Sequence, residues 1–97
     1  MKILTVKELK ALIDSNQEHL IKCDVKTYDP YSGGEPYIDT AEFCRNFKIK
    51  EYKSYILVEL SNDMGDPEFC VSNENEPIDF KYDNSDSDYS YRLYIEE

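Results

Sequence analysis

The chain has 97 residues, of which 40% are hydrophobic and 33% are charged, and its net charge is −10. This composition is too apolar for a disordered chain and too polar for a membrane protein, and the length suits one domain with a modest core. No apolar stretch approaches the roughly 20 residues of a spanning helix, and the charges within "MKILTVKELK" argue against a signal peptide. We therefore expect one domain, residues 1–97, in the cytoplasm.

The first predicted element is a helix over residues 6–15. Thr5 is a suitable N-cap, and Glu8 three residues later completes a capping box. Apolar residues then recur at helical spacing and form one stripe. The polar run "DSN" after that stripe ends the helix.

Strands are predicted from there to residue 61. Apolar and polar residues alternate in "HLIKCDVKTY" (residues 19–28), with Ile21, Cys23, Val25 and Thr27 on one face. "DPYSGGEP" reads as a turn, "YIDTAEFCRNFKIKEY" (residues 37–52) as one long strand with a possible bulge, and "KSYILVELS" (residues 53–61) as a strand that turns Ile56, Val58 and Leu60 inward.

Turns and short strands are predicted in the remaining segment. "NDMGDP" is a turn, "EFCVS" a short strand and "NENEP" a loop. "IDFKYD" (residues 78–83) reads as a strand with Ile78, Phe80 and Tyr82 on one face, "NSDSD" as a turn, and "YSYRLYI" (residues 89–95) as the last strand. The predicted fold is α+β, with one N-terminal helix packed on an antiparallel sheet of four to six strands.

Few residues support an enzyme or a cofactor site. The chain has one histidine, His19, and lacks a nucleophile elbow, a phosphate-binding loop and a dinucleotide fingerprint. Its three cysteines are widely spaced, so we predict three thiols, no metal and no cofactor. A calcium loop starting at Asp86 would need glycine where Tyr91 stands, which leaves only weak cation binding open.

The acidic residues are unevenly distributed. Residues 1–50 contain eight acidic and eight basic residues, whereas residues 51–97 contain thirteen acidic residues and three basic ones. The whole net charge therefore lies in the second half, which indicates a functional surface. The alternative is that the acidic residues only keep a small sheet protein soluble.

The candidate partner-binding residues come from this second half. Acidic residues spaced two apart would lie on one face of a strand, about 6.7 Å from each other, and could imitate a row of phosphates. Tyrosines between them suit a protein interface. The candidates are Asp63, Asp66, Glu68, Glu74, Glu76, Asp79, Asp83, Asp86, Asp88, Tyr82 and Tyr89.

Two features of the chain resemble known proteins. The capped helix "LTVKELKALI" followed by "LIKCDVKTYD" is similar to the start of many small proteins of phages and low-GC Gram-positive bacteria. In size, acidity and sheet-rich tail, the whole chain resembles phage-encoded inhibitors of host defence, notably the anti-CRISPR proteins. That resemblance implies occupation of the basic nucleic-acid channel of a CRISPR effector nuclease. A bacterial immunity protein that neutralises a nuclease would look much the same.

The sequence thus favours a non-enzymatic inhibitor that acts as a nucleic-acid mimic. Its expected partner is a basic nucleic-acid-binding protein, with no direct contact to nucleic acid or membrane, and the chain is expected to be a monomer or homodimer. The alternative is a small structural or regulatory protein that acts through self-association or partner binding at a sheet edge.

Overall fold

The computed structural model describes residues 1–27, 37–41, 45–61 and 65–96. One α-helix and two antiparallel sheets make up this part of the chain, which confirms the α+β class. The larger sheet has five strands, within the predicted four to six, and the other three strands form a second sheet. The predicted turn at residues 29–36 lies outside the described residues, as do Cys44 and Asp63.

Helix α1 spans Val6–Asp14 and begins as predicted. The Thr5 hydroxyl accepts a hydrogen bond from the Glu8 amide, and the Glu8 carboxylate accepts one from the Thr5 amide, both at 3.2 Å. These reciprocal bonds satisfy two amides that the first turn leaves without helical partners. Val6 and Leu9 are fully buried, so the apolar stripe is the face that packs into the core.

Eight strands are present in the described residues. They are β1 (Lys2–Ile3), β2 (Lys22–Thr27), β3 (Tyr37–Ala41), β4 (Arg45–Glu51), β5 (Ile56–Ser61), β6 (Glu68–Val71), β7 (Lys81–Tyr82) and β8 (Tyr89–Ile95). A short 3-10 helix, Glu18–Leu20, precedes β2, so the predicted strand at residues 19–28 starts later than expected.

The larger sheet has the order β1-β8-β2-β3, and β7 also pairs with β8. β8 is therefore central: β2 runs along one side, while β1 and β7 cover opposite ends of the other side. Between these two short strands the Leu93 carbonyl accepts a bond from the Leu4 amide, and the Leu93 amide donates to the Ile78 carbonyl. The last predicted strand is thus the best-paired strand of the sheet.

The smaller sheet is the meander β4-β5-β6. Ile56, Val58 and Leu60 are buried and alternate with half-buried residues, so the inward face of β5 is as predicted. Arg45 pairs with Ser61 and Lys48 with Glu59, which leaves Asn46 and the residue after it opposite a single residue of β5. This is a β-bulge, and Asn46 has the positive φ, 55°, that such a position uses.

The prediction of one strand over residues 37–52 was wrong. β3 pairs with β2 in the larger sheet, whereas β4 pairs with β5 in the smaller one. Apolar residues keep the same parity across the whole segment in the sequence, although its two strands belong to different sheets. Periodicity identifies the buried face of a strand but does not identify its pairing partner.

The prediction of a strand over residues 78–83 was also wrong. Only Lys81 and Tyr82 pair with β8. Phe80 has φ at 51°, which a bulky side chain rarely adopts and which interrupts an extended backbone. As a result Ile78 is fully buried while Tyr82 is 68% exposed, so the two do not share a face.

One core unites the helix and both sheets. Fully buried residues of α1 (Leu9), β2 (Cys23), β5 (Val58), β6 (Phe69) and β8 (Leu93) belong to the same apolar cluster. Cys23 and Cys70 carry thiols and form no disulfide with each other. The two sheets therefore hold the acidic segments that follow β5 on a common rigid base.

Candidate functional site

The turn between β7 and β8 carries the acidic run "DNSDSD", and Asp83 holds it together. Asp83 is only 8% exposed, and its Oδ1 accepts bonds of 2.8 Å from the amide and the hydroxyl of Ser85. Its Oδ2 accepts a bond of 3.3 Å from the Tyr91 hydroxyl. Burial and the neighbouring Asp83 carboxylate raise the pKa of Tyr91, so this hydroxyl stays protonated as a donor. Asp83 thus shapes the turn and does not face solvent.

The same turn is fastened to β6 in the other sheet. The Asn84 amide donates to the Glu68 carbonyl at 2.9 Å, and the Asn84 side-chain amide contacts the Cys70 sulfur at 3.2 Å. These bonds bring Glu68 next to a turn that is fifteen or more residues away in sequence. They also cover part of the outer edge of β6.

Exposed carboxylates and tyrosines surround this junction. Asp86 and Asp88 are both exposed, and the Asp86 carboxylate accepts a 3.1 Å bond from the Asp88 amide, a local turn contact. Tyr82 is 68% exposed and Tyr89 is 39% exposed. We call these four residues, together with the half-buried Glu68 of β6, the acidic turn surface.

A second acidic segment is the loop of residues 72–77, and Glu76 closes it. The Glu76 carboxylate accepts a 2.6 Å bond from the Ser72 amide and a 2.9 Å bond from the Lys81 ammonium. The Lys81 bond, together with the Ser72 amide, lowers the pKa of Glu76. Glu76 is therefore engaged within the protein rather than displayed to a partner.

The loop of residues 72–77 lies against the start of helix α1. The Lys7 amide donates to the Glu74 carbonyl at 3.1 Å, and Thr5 forms a bridge with Pro77. The Glu74 carbonyl thereby pairs an amide in the first turn of α1 that has no helical partner. The Glu74 side chain itself is exposed.

The three remaining candidate residues, Asp63, Asp66 and Asp79, belong neither to the acidic turn surface nor to the loop of residues 72–77. Asp66 is exposed and accepts a 3.0 Å bond from the Ser61 hydroxyl. Asp79 is exposed between the buried Ile78 and the half-buried Phe80. Asp63 falls outside the described residues.

Contrary to the expectation from the sequence, none of the acid pairs spaced two apart lies on a strand with both residues: Asp66 precedes β6, of which Glu68 is the first residue. Glu74 and Glu76 belong to a loop, and Asp86 and Asp88 belong to a turn. A turn rotates successive residues, so the regular spacing of a strand does not apply to these carboxylates. The bonds from Asn84 to β6 instead bring the carboxylates of the turn close to Glu68.

The balance of ion pairs leaves this region strongly negative. Among the described residues, Glu68, Glu74, Asp79 and Asp88 have no side-chain hydrogen bond or ion pair. Lys81 is engaged by Glu76, and Arg92 is engaged by Asp24. The two basic residues nearest in sequence are thus compensated internally and leave the exposed carboxylates uncompensated.

Sequence reasoning missed a polar cluster on β2 and β8. Asp24 is 4% exposed and pairs in register with Arg92, whose guanidinium lies 2.5 Å from the Asp24 carboxylate. The Tyr94 hydroxyl donates to the same carboxylate at 3.1 Å, and Arg92 stacks over Phe80 at 4.5 Å. The available signal was weak: an acidic residue in one strand and the last arginine in another, with no indication that those strands pair.

The described part of the chain contains no cluster of three or more His, Cys, Asp or Glu side chains arranged to hold a metal ion. In a calcium loop starting at Asp86, Asp86, Asp88 and Ser90 would be ligands at positions one, three and five. Asp86 and Asp88 are exposed in the turn, whereas Ser90 is buried within β8. No helix in the described residues is long and apolar enough to span a membrane.

Comparison with known proteins found no matching family model, no matching curated protein and no matching solved structure.

Proposed function

We propose that this protein is a non-enzymatic inhibitor that docks its acidic turn surface on the basic nucleic-acid-binding face of an enzyme. The enzyme class that fits is a nuclease with an open cationic channel, such as a CRISPR effector. The carrying observation is that Asp88 of the turn and Glu68 of β6 form no ion pair among the described residues, while the contacts of Asn84 with β6 hold the turn beside that strand.

Rigidity distinguishes this surface from a merely solubilising tail. The turn is held by the buried Asp83 carboxylate, by two contacts of Asn84 to β6, and by pairing of β7 and β8. A preorganised surface loses little entropy when a partner binds, whereas a flexible acidic tail loses much more.

The chemistry of the surface suits a cationic groove. Carboxylates form charge-assisted hydrogen bonds with the same arginine and lysine side chains that bind phosphates. Tyr82 and Tyr89 add planar area on which guanidinium groups can stack. Long-range attraction between the two surfaces would speed association and would make binding sensitive to salt.

The test is inhibition of a guide-loaded CRISPR effector nuclease, measured by cleavage of a fluorescent DNA substrate over a range of salt. A triple variant, Glu68→Gln, Asp86→Asn and Asp88→Asn, removes three charges and preserves side-chain size. We expect the triple variant to associate with the nuclease at least about tenfold more slowly, so that inhibition develops more slowly. The association rate should also depend less steeply on salt concentration.

The matched control removes the same charge elsewhere, through Asp14→Asn, Glu51→Gln and Glu96→Gln. Its association rate should remain close to that of the parent protein. Equal loss in both variants would mean that net charge alone matters, and no loss in the triple variant would show that the acidic turn surface is not the docking site.

A further inference from the structure

The smaller sheet has one face in the core and a second face turned away from it. Along β5, buried residues alternate with Leu57 and Glu59, which are half-buried. β4 and β6 repeat this alternation, so Lys48 and Lys50 are exposed on the second face and Glu68 is half-buried there. We call these five residues, together with the tyrosines at the turn between β4 and β5, the outer face.

The two tyrosines, Tyr52 and Tyr55, extend the outer face beyond the strands. The Tyr52 amide donates to the Tyr55 carbonyl at 2.9 Å, which closes the hairpin next to the last strand pair. The two rings stack with their centroids 4.8 Å apart, yet Tyr52 is 50% exposed and Tyr55 is 40% exposed. Ordered, exposed tyrosines suit an interface, because they bring large contact area at a low cost in conformational entropy.

Charges of opposite sign lie on opposite sides of the outer face. Lys48 pairs in register with Glu59, and Glu59 pairs with Glu68, so the three residues form one row across three strands. The Lys50 ammonium lies 3.3 Å from the Glu59 carboxylate. Lys48 and Glu68, at the two ends of the row, form no ion pair among the described residues. They are two strand spacings apart, about 10 Å.

We propose that the outer face is a homodimer interface, at which two copies of this chain pack face to face about a two-fold axis parallel to β5. This axis places β4 of each copy over β6 of the other, so Lys48 lies opposite Glu68 of the second copy. Leu57, on the central strand, meets the same leucine at the axis. Two sheets packed in this way lie about 10 Å apart, with strands aligned within roughly 30°.

Charge complementarity identifies a second copy as the occupant of this face. Lys48 and Lys50 balance Glu59 and Glu68, so the row and its neighbours are neutral although the whole chain has a net charge of −10. A wholly basic or wholly acidic partner is repelled by one side of the face, whereas its two-fold image matches both sides. A two-fold axis across the strands is disfavoured, because it places lysines over lysines.

The dimer covers Glu68, which also belongs to the acidic turn surface. Self-association and docking on a nuclease therefore compete, and this consequence rests on the proposed function, whereas the dimer itself does not. The two are separable by experiment, because Asp86 and Asp88 lie in the turn and outside the outer face. Asp86→Asn with Asp88→Asn tests docking and should leave self-association unchanged.

The proposed interface is small, because three short strands present less than the roughly 800 Å² that each partner of a stable complex buries. The dimer is therefore weak. Sedimentation equilibrium up to about 1 mM protein covers the weak end of specific affinities. We expect the apparent mass to rise from that of the monomer towards twice that value within this range.

A charge swap tests the predicted contact between Lys48 and Glu68. Lys48→Glu and Glu68→Lys each place like charges opposite one another and should each weaken the dimer at least about tenfold. The double variant restores two opposite-charge pairs and should dimerise like the parent protein. Lys7→Glu, at an exposed helix position, makes the same change in net charge as Lys48→Glu and should leave the dimer intact. Urea midpoints check that each variant is folded.

Hydroxyl-radical labelling of the unmodified protein is a second measurement that requires no variant. The rings of Tyr52 and Tyr55 should be labelled at least about twofold more slowly at high than at low protein concentration, because the interface excludes water from them. Tyr82 and Tyr89 should keep their labelling rates. A protein that stays monomeric up to about 1 mM overturns the proposal. A dimer that both single charge variants leave intact, or that the double variant does not restore, also overturns it.

Discussion

At the scale of single residues, Thr5 has a defined energetic role at the start of α1. Its hydroxyl accepts a bond from the Glu8 amide, which otherwise has no helical partner. Thr5→Ala should lower the free energy of unfolding by about 1 kcal/mol, measured by urea denaturation. Thr5→Ser keeps the hydroxyl and should remain close to the parent protein. Equal losses in both variants would contradict a capping role.

Glu76 gives a prediction with a defined pH dependence. Lys81 and the Ser72 amide lower the pKa of this carboxyl in the folded protein below its ordinary value of 4.5. A lowered folded-state pKa stabilises the protein above the unfolded-state pKa, and this stability is lost as the pH falls through the folded-state pKa. Glu76→Gln should therefore destabilise the protein at pH 7.

The difference between Glu76→Gln and the parent should shrink as the pH falls below about 4.5, because the parent carboxyl then becomes neutral as well. Urea midpoints of the two proteins between pH 3 and pH 7 measure this convergence. Asn75→Asp adds a carboxylate at an exposed position of the same loop. Its urea midpoints over the same pH range show whether a loop carboxylate without the Lys81 contact has the same pH dependence as Glu76. A constant difference across the whole range would show that Glu76 acts through shape rather than charge.

Residue types and spacing predicted the local features of single residues well. The capping box depends on Thr5 and Glu8 being three apart, and the structure confirms it. In contrast, nothing local distinguishes Asp83 from Asp86 in "DNSDSD", although one is buried and the other exposed. The difference arises because Tyr91 on β8 donates to Asp83, and that contact depends on the strand pairing.

At the scale of elements, the Asp24–Arg92 ion pair joins β2 to β8. Both side chains are largely buried, so removal of one partner leaves a desolvated charge. Asp24→Ala should lower the free energy of unfolding by about 3 kcal/mol. Arg92→Ala should cost a similar amount, because it also removes the stacking over Phe80.

A double-mutant cycle separates the ion pair from the other contacts of these residues. The double variant should be more stable than the sum of the single losses predicts, by roughly 2 kcal/mol. The control is the same cycle on the exposed ion pair of Lys22 and Glu96, whose charged atoms lie 3.7 Å apart. This pair should show little coupling energy. Additive losses at Asp24 and Arg92 would mean that the pair itself does not stabilise the sheet.

Elements were predicted from periodicity, and their partners were not. The inward face of β5 and the existence of β6 and β8 follow from alternation over short segments. The division into two sheets does not, because β3 and β4 share one parity and differ only in which strand they pair with. The strand predicted over residues 78–83 is shortened to β7 for another reason. Phe80 adopts a positive φ, which nothing about a phenylalanine in the sequence predicts.

At the scale of the whole molecule, the net charge of −10 opposes the compact state. Glu74→Gln with Asp86→Asn and Asp88→Asn removes three charges from exposed positions. The triple variant should have a higher urea midpoint than the parent at about 0.01 M ionic strength, where the Debye length is roughly 30 Å. The difference should largely disappear at about 1 M ionic strength, where the Debye length is roughly 3 Å. A difference that persists in high salt would indicate a local effect of the substitutions.

Because β8 is the central strand, the larger sheet cannot be completed until the ribosome has synthesised residues 89–95. β1 has no pairing partner until residues 94–95 have been synthesised. Until then β2 can pair only with β3. The meander from Arg45 to Val71 is complete earlier and needs only neighbouring segments. At usual translation rates about 1 to 5 s separate residue 71 from residue 95. During that interval the nascent chain carries an open β2–β3 hairpin with both edges exposed, which is when it is most vulnerable to aggregation and to chaperone capture.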